Sequence, residues 1–320
     1  MGQADTSLEV ELPTFSIVLE TENLANADLK GLAKSLVSLN QQDISPCQAQ
    51  EVLLIDSGDA PTTLLTQLRR QYPWLKVYQV PLGTGYYKAK MLGAQLATGE
   101  VVVYFDSDCI YESHWLRQIL TPFNQGDNIQ IIAGETKTRG QGIYGTAMAF
   151  SYIFPPYSQE QKLTATSQYF LNNVAFRREF LLHNPMPIDL PLYRGNCVIH
   201  AHQLRSQNYI IWRQPLARAT HAPPNGFMHF YWRFLLIGHD LYWQHKLLAT
   251  HQVKISQKDS SGVGEIEVLK ERMSKTFSQD PYRILHMPLA IPIIITSLIL
   301  ILIGYIITAV KPSYLLKSYA

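Results

Sequence analysis

The chain has little charge. Asp, Glu, Lys and Arg make up 16% of its 320 residues, against about 25% in an average soluble domain. Hydrophobic residues reach 47%, which excludes a largely disordered chain. An excess of one sign is also lacking: 27 Lys and Arg face 25 Asp and Glu, a formal balance of +2. No broad field draws nucleic acid, and no nucleic-acid partner is expected. Cysteine is scarce. Cys47, Cys109 and Cys197 are too few and too scattered for a disulfide framework or a zinc cluster, and they fit a reducing compartment. The N-terminal stretch MGQADTSLEVELP has neither the basic nor the apolar part of a signal peptide, so no leader is expected. No G-x-G-x-x-G follows the first apolar run and no G-x-S-x-G occurs. A dinucleotide turn and a hydrolase nucleophile elbow are thereby excluded. No internal repeat is visible.

What the chain does have is alternation. FSIVLE at 15–20 is a strand-like apolar run, and 27–39 carries Leu29, Leu32, Leu36 and Leu39 at helical spacing. Strands are predicted again at 52–55, 76–80 and 101–105, with helices at 61–71 and 86–97 between them. VVVYF at 101–105 is apolar throughout, as in strands buried on both faces of a parallel sheet. The fold class is therefore α/β, a Rossmann-like sheet in the first part of the chain. Further strands are expected at 129–133 and 209–212, and 134–145, with four glycines, reads as a flexible or ligand-approaching loop.

The second half turns apolar. Residues 227–248 hold seven aromatics interrupted by Arg233, His239, Asp240, His245 and Lys246, a composition suited to a membrane interface. Residues 251–286 read as a polar surface connector with one short helix. MPLAIPIIITSLILILIGYIITAV at 287–310 is 24 residues without a charge, enough to cross a bilayer.

The chemistry concentrates at Asp106-Ser107-Asp108, directly after VVVYF. Ligands of open α/β sheets bind beyond the carboxyl ends of the strands. Two carboxylates one residue apart in that turn can share Mg²⁺ or Mn²⁺, ions that favour a few carboxylates plus substrate phosphates. The metal would neutralise a leaving diphosphate. Asp56, in Asp56-Ser57-Gly58, ends the second strand in the same manner, and Lys90 on the third helix is placed to reach a phosphate. The same D-x-D also resembles a haloacid-dehalogenase-type phosphatase with Asp106 as nucleophile, but that motif opens its domain, whereas three strand–helix units precede it here.

These pieces resemble a family 2 glycosyltransferase of the GT-A fold. The likeness runs over about residues 14–222, through FSIVLETEN, EVLLIDSGD, KAKMLGAQLATGE, VVVYFDSD, NNVAFRR and ATHAPP. It implies a nucleotide-sugar donor, a divalent metal as cofactor and transfer with inversion. By that resemblance Glu22 and Asp56 would contact the nucleoside, Asp106 and Asp108 the ribose, diphosphate and metal, and His221 the metal or diphosphate. Asn173, Arg177 and Arg194 would lie on the acceptor side. One departure matters: Asn196 and Cys197 stand where the family carries its catalytic carboxylates. Asn cannot accept a proton, and a thiol does so only as thiolate. Asp189, in the proline-rich segment before the vacant position, and Glu135, after the 129–133 strand, are the candidate substitute bases, with no base at all as the remaining alternative.

The resulting expectation divides the chain into a tail at 1–13, a GT-A domain at 14–223, an interfacial helix and connector at 224–286, a single-pass transmembrane helix at 287–310 and a tail at 311–320. The domain would face the cytoplasm and glycosylate a membrane-proximal, lipid-linked or membrane-delivered acceptor. The alternative is an inactive glycosyltransferase-like protein that binds a nucleotide sugar or scaffolds a partner at the membrane.

Overall fold

The computed structural model describes residues 12–22, 29–58, 60–251 and 265–319. The tail up to residue 11 and the 252–264 part of the connector lie outside the described residues. Strands β1 (Phe15–Glu20), β2 (Glu51–Asp56), β3 (Leu75–Gln79) and β4 (Val101–Phe105) are parallel in the order β3-β2-β1-β4. Every residue of β1 and β4 is buried, which is why β4 reads as an unbroken apolar run and β1 as a mainly apolar one. Alternation in the pleat divides their side chains. Ile17, Leu19, Val103 and Phe105 join α1 (Leu29–Asn40) and α2 (Thr62–Gln71) in one core, whereas Val18, Val102 and Tyr104 join α3 (Tyr86–Leu96) on the other face.

The second half of the sheet reverses direction. Short β5 (Cys109–Tyr111) and α4 (Trp115–Leu120) follow the Asp106–Asp108 turn. β6 (Ile131–Thr138) leads into α5 (Gly142–Ser151), and β7 (Thr164–Thr166) precedes β8 (Asn173–Arg177) and α6 (Arg178–His183). β8 runs antiparallel to both β4 and β6. After α7 (Asn196–Ser206) comes β9 (Ile211–His221), parallel to β6 and antiparallel to β5. The 134–145 segment is thus no loop: its first part continues β6. Gly134 sits in that strand because a Cβ there would strike the Asn173 side chain and the Ala217 carbonyl. The strand expected at 209–212 also runs on to His221, and that extension carries the histidine to the site.

Three helices close the chain: α8 (Gly226–His251), α9 (Glu265–Gln279) and α10 (Arg283–Val310), followed by the short α11 (Tyr314–Tyr319). Among the described residues α10 is the one helix long and apolar enough to cross a membrane. It packs on α5 near its start and along α8, where Gly238 and Gly304 let the two backbones approach. Arg283 donates to the carbonyls of Gly140 and Gly145 at one end, and Leu315 of α11 is buried against α8 at the other. The opposite face of α10, with Leu289, Ile295, Leu298, Leu302, Ile306 and Val310, is exposed. α8 differs from the expected free interfacial helix: Phe234, Leu235, Leu236, His239 and Asp240 are buried in the protein, and Phe227, Met228 and Tyr231 stay exposed.

A side chain at the glycine crossing must separate these helices, because the added Cβ meets a carbonyl rather than a flexible group. Gly304→Val should cost about 1–3 kcal/mol, the usual range for overpacking. Thermal unfolding of the purified chain checks this; an unchanged midpoint would show that the crossing does not carry the α8–α10 contact.

Candidate active site

The carboxyl edge of β4 is organised by a buried ammonium. Lys90 projects from α3 under the sheet and is fully buried, with Nζ 2.6 Å from both the Phe105 carbonyl and Asp106 Oδ1, and 3.4 Å from the Val18 carbonyl. An unpaired charge in that position would cost several kcal/mol, so Asp106 turns inward to meet it. The second oxygen of Asp106 accepts from Tyr86 Oη at 2.8 Å. Lys90 therefore does not reach out for a phosphate; its hydrogen bonds end inside the protein.

Asp108 points the other way. β5 pairs with β9 in a register that sets Cys109 opposite His221, and the Ala222 N–H donates to the Asp108 carbonyl at 3.0 Å. The pairing brings Asp108 Oδ2 to 3.0 Å from His221 Nε2. Burial works against ionisation of Asp108, but the neighbouring imidazole overrides it and brings the carboxyl down to about 2. His221 Nδ1 faces the Ala222 carbonyl. A carbonyl only accepts, so Nδ1 carries hydrogen. Nε2 then holds either a second proton or a lone pair beside the carboxylate. A divalent cation can take that proton's place, so the pair fits a metal. Cys109 Sγ lies 3.7 Å from Asp108 Oδ1, and its thiol is pushed up by burial, which leaves the oxygen and imidazole as the ligands for a hard ion.

Asp106, Asp108, His221 and Arg194 line one cavity of about 440 Å³. Arg194 pairs with Glu22 and lies over the Tyr86 and Tyr193 rings. Asp56, at the neighbouring end of β2, accepts from Thr21 Oγ1 at 3.0 Å and from the Gly58 N–H at 3.2 Å. The far wall comes from α8 and the turn after β6: His229, Arg233 and Arg139. His229 and Arg233 stand one helical turn apart, on one face. Asp240, two turns beyond Arg233, accepts the Tyr193 and Arg194 N–H groups at 2.6 and 2.9 Å. Burial pushes its carboxyl up to about 6.

Four expected positions fall elsewhere. Arg177 pairs with Val101 at the amino end of β4, because β8 is antiparallel, and it binds the Ile129, Phe123 and Gly126 carbonyls. Asn173 is at the right end but buried between strands, accepting from Trp115 Nε1 and donating to the Glu135 and Ala217 carbonyls. Glu135 accepts from the Ser158 N–H at 2.9 Å and faces Arg213 at 3.6 Å. Asp189 is an exposed loop residue. Neither of these carboxylates lines the cavity. At the position of the missing base, Asn196 donates to the Pro187 carbonyl, and burial pushes the Cys197 thiol up to about 11.

Sequence reasoning overlooked Tyr86, Arg139, His229, Arg233 and the buried Glu20. Arg233 was visible only as a cation in an aromatic run, and Arg139 only as part of a glycine-rich stretch.

Residues 24–182 match the family model described as glycosyl transferase family 2. The chain is 29% identical over 115 residues to N-acetylgalactosaminyltransferase 6 of Drosophila melanogaster, covering 35% of this chain and 17% of that protein. It is 27% identical over 213 residues to an uncharacterized glycosyltransferase of Nostoc sp., covering 58% of each. This chain thus spans 17% and 58% of the lengths of those two relatives. Among solved structures, a mannosyltransferase from Pyrobaculum calidifontis in complex with GDP-Man and Mn²⁺ superposes with TM-score 0.57 at 16% identity, over 94% of this chain and 82% of that one. GalNAc-T7 with UDP, GalNAc and Mn²⁺ superposes with TM-score 0.53 at 15% identity, over 85% and 58%. At these identities the superpositions establish the fold, which is GT-A.

The Glu20 carboxyl is raised by burial to about 8, from an unfolded value of 4.5. Between those values the folded chain holds a proton that the unfolded chain releases, so this group lowers stability as pH rises through that window. Urea unfolding without metal should find Glu20→Gln gaining stability relative to the parent between pH 5 and pH 8.5. A constant gap would mean that Glu20 ionises normally.

Proposed function

Because the chain belongs to glycosyl transferase family 2 through residues 24–182, we propose that it moves a sugar from a nucleotide-diphosphate donor to a membrane-proximal acceptor, with a divalent metal and inversion at the anomeric carbon. The observation that carries this reading is the Asp108–His221 pair at the carboxyl edge of a parallel sheet, open to the cavity. These two residues would hold Mn²⁺ or Mg²⁺, which when bound supplies positive charge to the leaving diphosphate. The Mn²⁺ and the UDP and GDP-Man in the two superposed structures support that donor class.

The chain's own residues do the rest. Asp56 and the Glu22–Arg194 pair form the nucleoside end. The Lys90–Asp106 pair keeps the turn rigid, so that Asp108 need not reorganise on binding. A direct displacement at one face of the sugar inverts its configuration. Residues 14–223 form the catalytic unit in this reading, and the bare face of α10 within 287–310 meets the bilayer. The start of α10 is tied to that unit and its far end, through α11, to α8, so α8 accompanies α10 to the membrane. The second reading, a nucleotide-sugar-binding protein without turnover, rests on Asn196 and Cys197. Release of nucleoside diphosphate from the donor separates the two.

Asp108→Ala should abolish the Mn²⁺-dependent rise in melting temperature with UDP or GDP while leaving far-UV circular dichroism intact; the ligand-free melt falls because the pair with His221 is lost. A bound ligand at a hundred times its Kd stabilises by about 2.7 kcal/mol, well within reach of this measurement. Retention of the full metal-dependent rise would exclude Asp108 as the metal ligand.

A further inference from the structure

The cavity carries more positive charge than a donor complex requires. The Lys90 ammonium is matched by Asp106, and Arg194 by Glu22. Arg139 and Arg233 also line the cavity, and neither forms an ion pair with a carboxylate among the described residues. Arg139 Nη1 is buried without a hydrogen-bond partner. Arg233 makes its direct contacts with aromatic groups: its Nε donates to Tyr152 Oη at 2.9 Å, and its guanidinium lies over the Tyr152 and Tyr193 rings, while Asp108 and Asp240 feel its charge without pairing with it. A divalent cation on Asp108 together with a diphosphate leaves one net negative charge. Two arginines exceed it and leave room for a second anion.

The same wall offers no proton acceptor. Among the described residues, Asp106 and Asp108 are the only carboxylates lining the cavity, and both are engaged. His229 Nδ1 accepts from the Asn225 N–H at 3.1 Å, so its neutral ring keeps its hydrogen on Nε2 and acts as a donor. Cys197 remains a thiol. A hydroxyl acceptor needs a base to take its proton. A phosphate monoester needs none, because its oxygens are already anionic at neutral pH.

We propose that the acceptor is a phosphate monoester, held by Arg139 and Arg233, whose own oxygen is the nucleophile. The proposal rests on the glycosyl-transfer reading above. One phosphate oxygen forms a bond to the anomeric carbon while the bond from that carbon to the donor diphosphate breaks. The bonding pair leaves with the nucleoside diphosphate. No proton moves, and the acceptor becomes a glycosyl phosphodiester. A lipid phosphate and a soluble phosphate ester share this chemistry.

The test uses the full chain in detergent with Mn²⁺ and UDP- or GDP-linked sugars. Decyl phosphate, phenyl phosphate and decanol are offered as acceptors, and products are identified by mass. Transfer to a phosphate but not to decanol is expected. Preference for decyl over phenyl phosphate assigns a lipid acceptor, and equal use assigns a soluble one. Arg139→Gln and Arg233→Gln should each lower kcat/KM for the phosphate acceptor at least tenfold, mainly through its KM. Arg→Lys at each position should restore part of it and guards against misfolding. Glycosylated decanol, with neither phosphate used, overturns the proposal and leaves the transferase reading standing. Should no acceptor turn over, binding of decyl phosphate to the Mn²⁺–nucleotide complex decides: binding that the Gln variants lose supports the proposal, and binding they leave unchanged overturns it. Loss of Mn²⁺-dependent UDP and GDP binding in the parent would remove the underlying reading itself.

Discussion

A lysine ammonium with no access to water fixes the geometry on which the site depends. Lys90 comes from α3, yet its hydrogen bonds end on β1 through Val18 and on β4 through Phe105 and Asp106. One buried charge thereby ties a helix to two neighbouring strands at the edge where ligands bind. Its demand for a counter-charge consumes Asp106. The turn that follows then carries Asp108 outward, onto the end of β9. The two aspartates are one residue apart, but they serve opposite sides of the turn. The inner one neutralises the protein and the outer one faces the cavity.

That division explains what could be read from the sequence and what could not. The parallel half was legible because β1 and β4 are buried on both faces and leave mainly apolar runs. The D-x-D turn was legible because it follows such a run directly. The antiparallel half left weaker signals. β8 reads NVAFR, a pattern that says nothing of direction, and direction alone decides that Asn173 lies by the turn while Arg177 lies at the opposite edge. Asp189 was near the vacant position along the chain and Glu135 followed a strand, but neither lines the cavity. Gly134 resembled loop punctuation, whereas its missing side chain makes room for Asn173 and Ala217 in adjacent strands.

The helices beyond the sheet are coupled to the site through α8. One face of α8 presents His229 and Arg233 to the cavity, and Asp240 holds the backbone of the Tyr193–Arg194 segment. Its other side carries Leu235 and Gly238 against α10. The apolar helix and the arginine are thus fixed to the same rigid element, and α11 returns to set Tyr319 beside Tyr193. The aromatic run that suggested a headgroup anchor also brings His229 and Arg233 to the cavity wall. The rings around the Arg233 guanidinium come from other segments, Tyr152 and Tyr193.

The vacancy at Asn196 and Cys197 and the surplus arginines are two sides of one electrostatic condition. A carboxylate added at Cys197 would line the same cavity as Arg139 and Arg233. At close range such charges attract, so the carboxylate would draw a guanidinium into an ion pair. Its basicity would fall, and the cation would be lost to any anionic ligand. It would also repel a second phosphate directly. A site that keeps Arg139 and Arg233 out of carboxylate pairs therefore works better without the base, provided its acceptor brings its own negative oxygen. A site for a neutral hydroxyl has the opposite need, a carboxylate held away from cations so that it stays basic. The amide and thiol found here satisfy the first condition and fail the second.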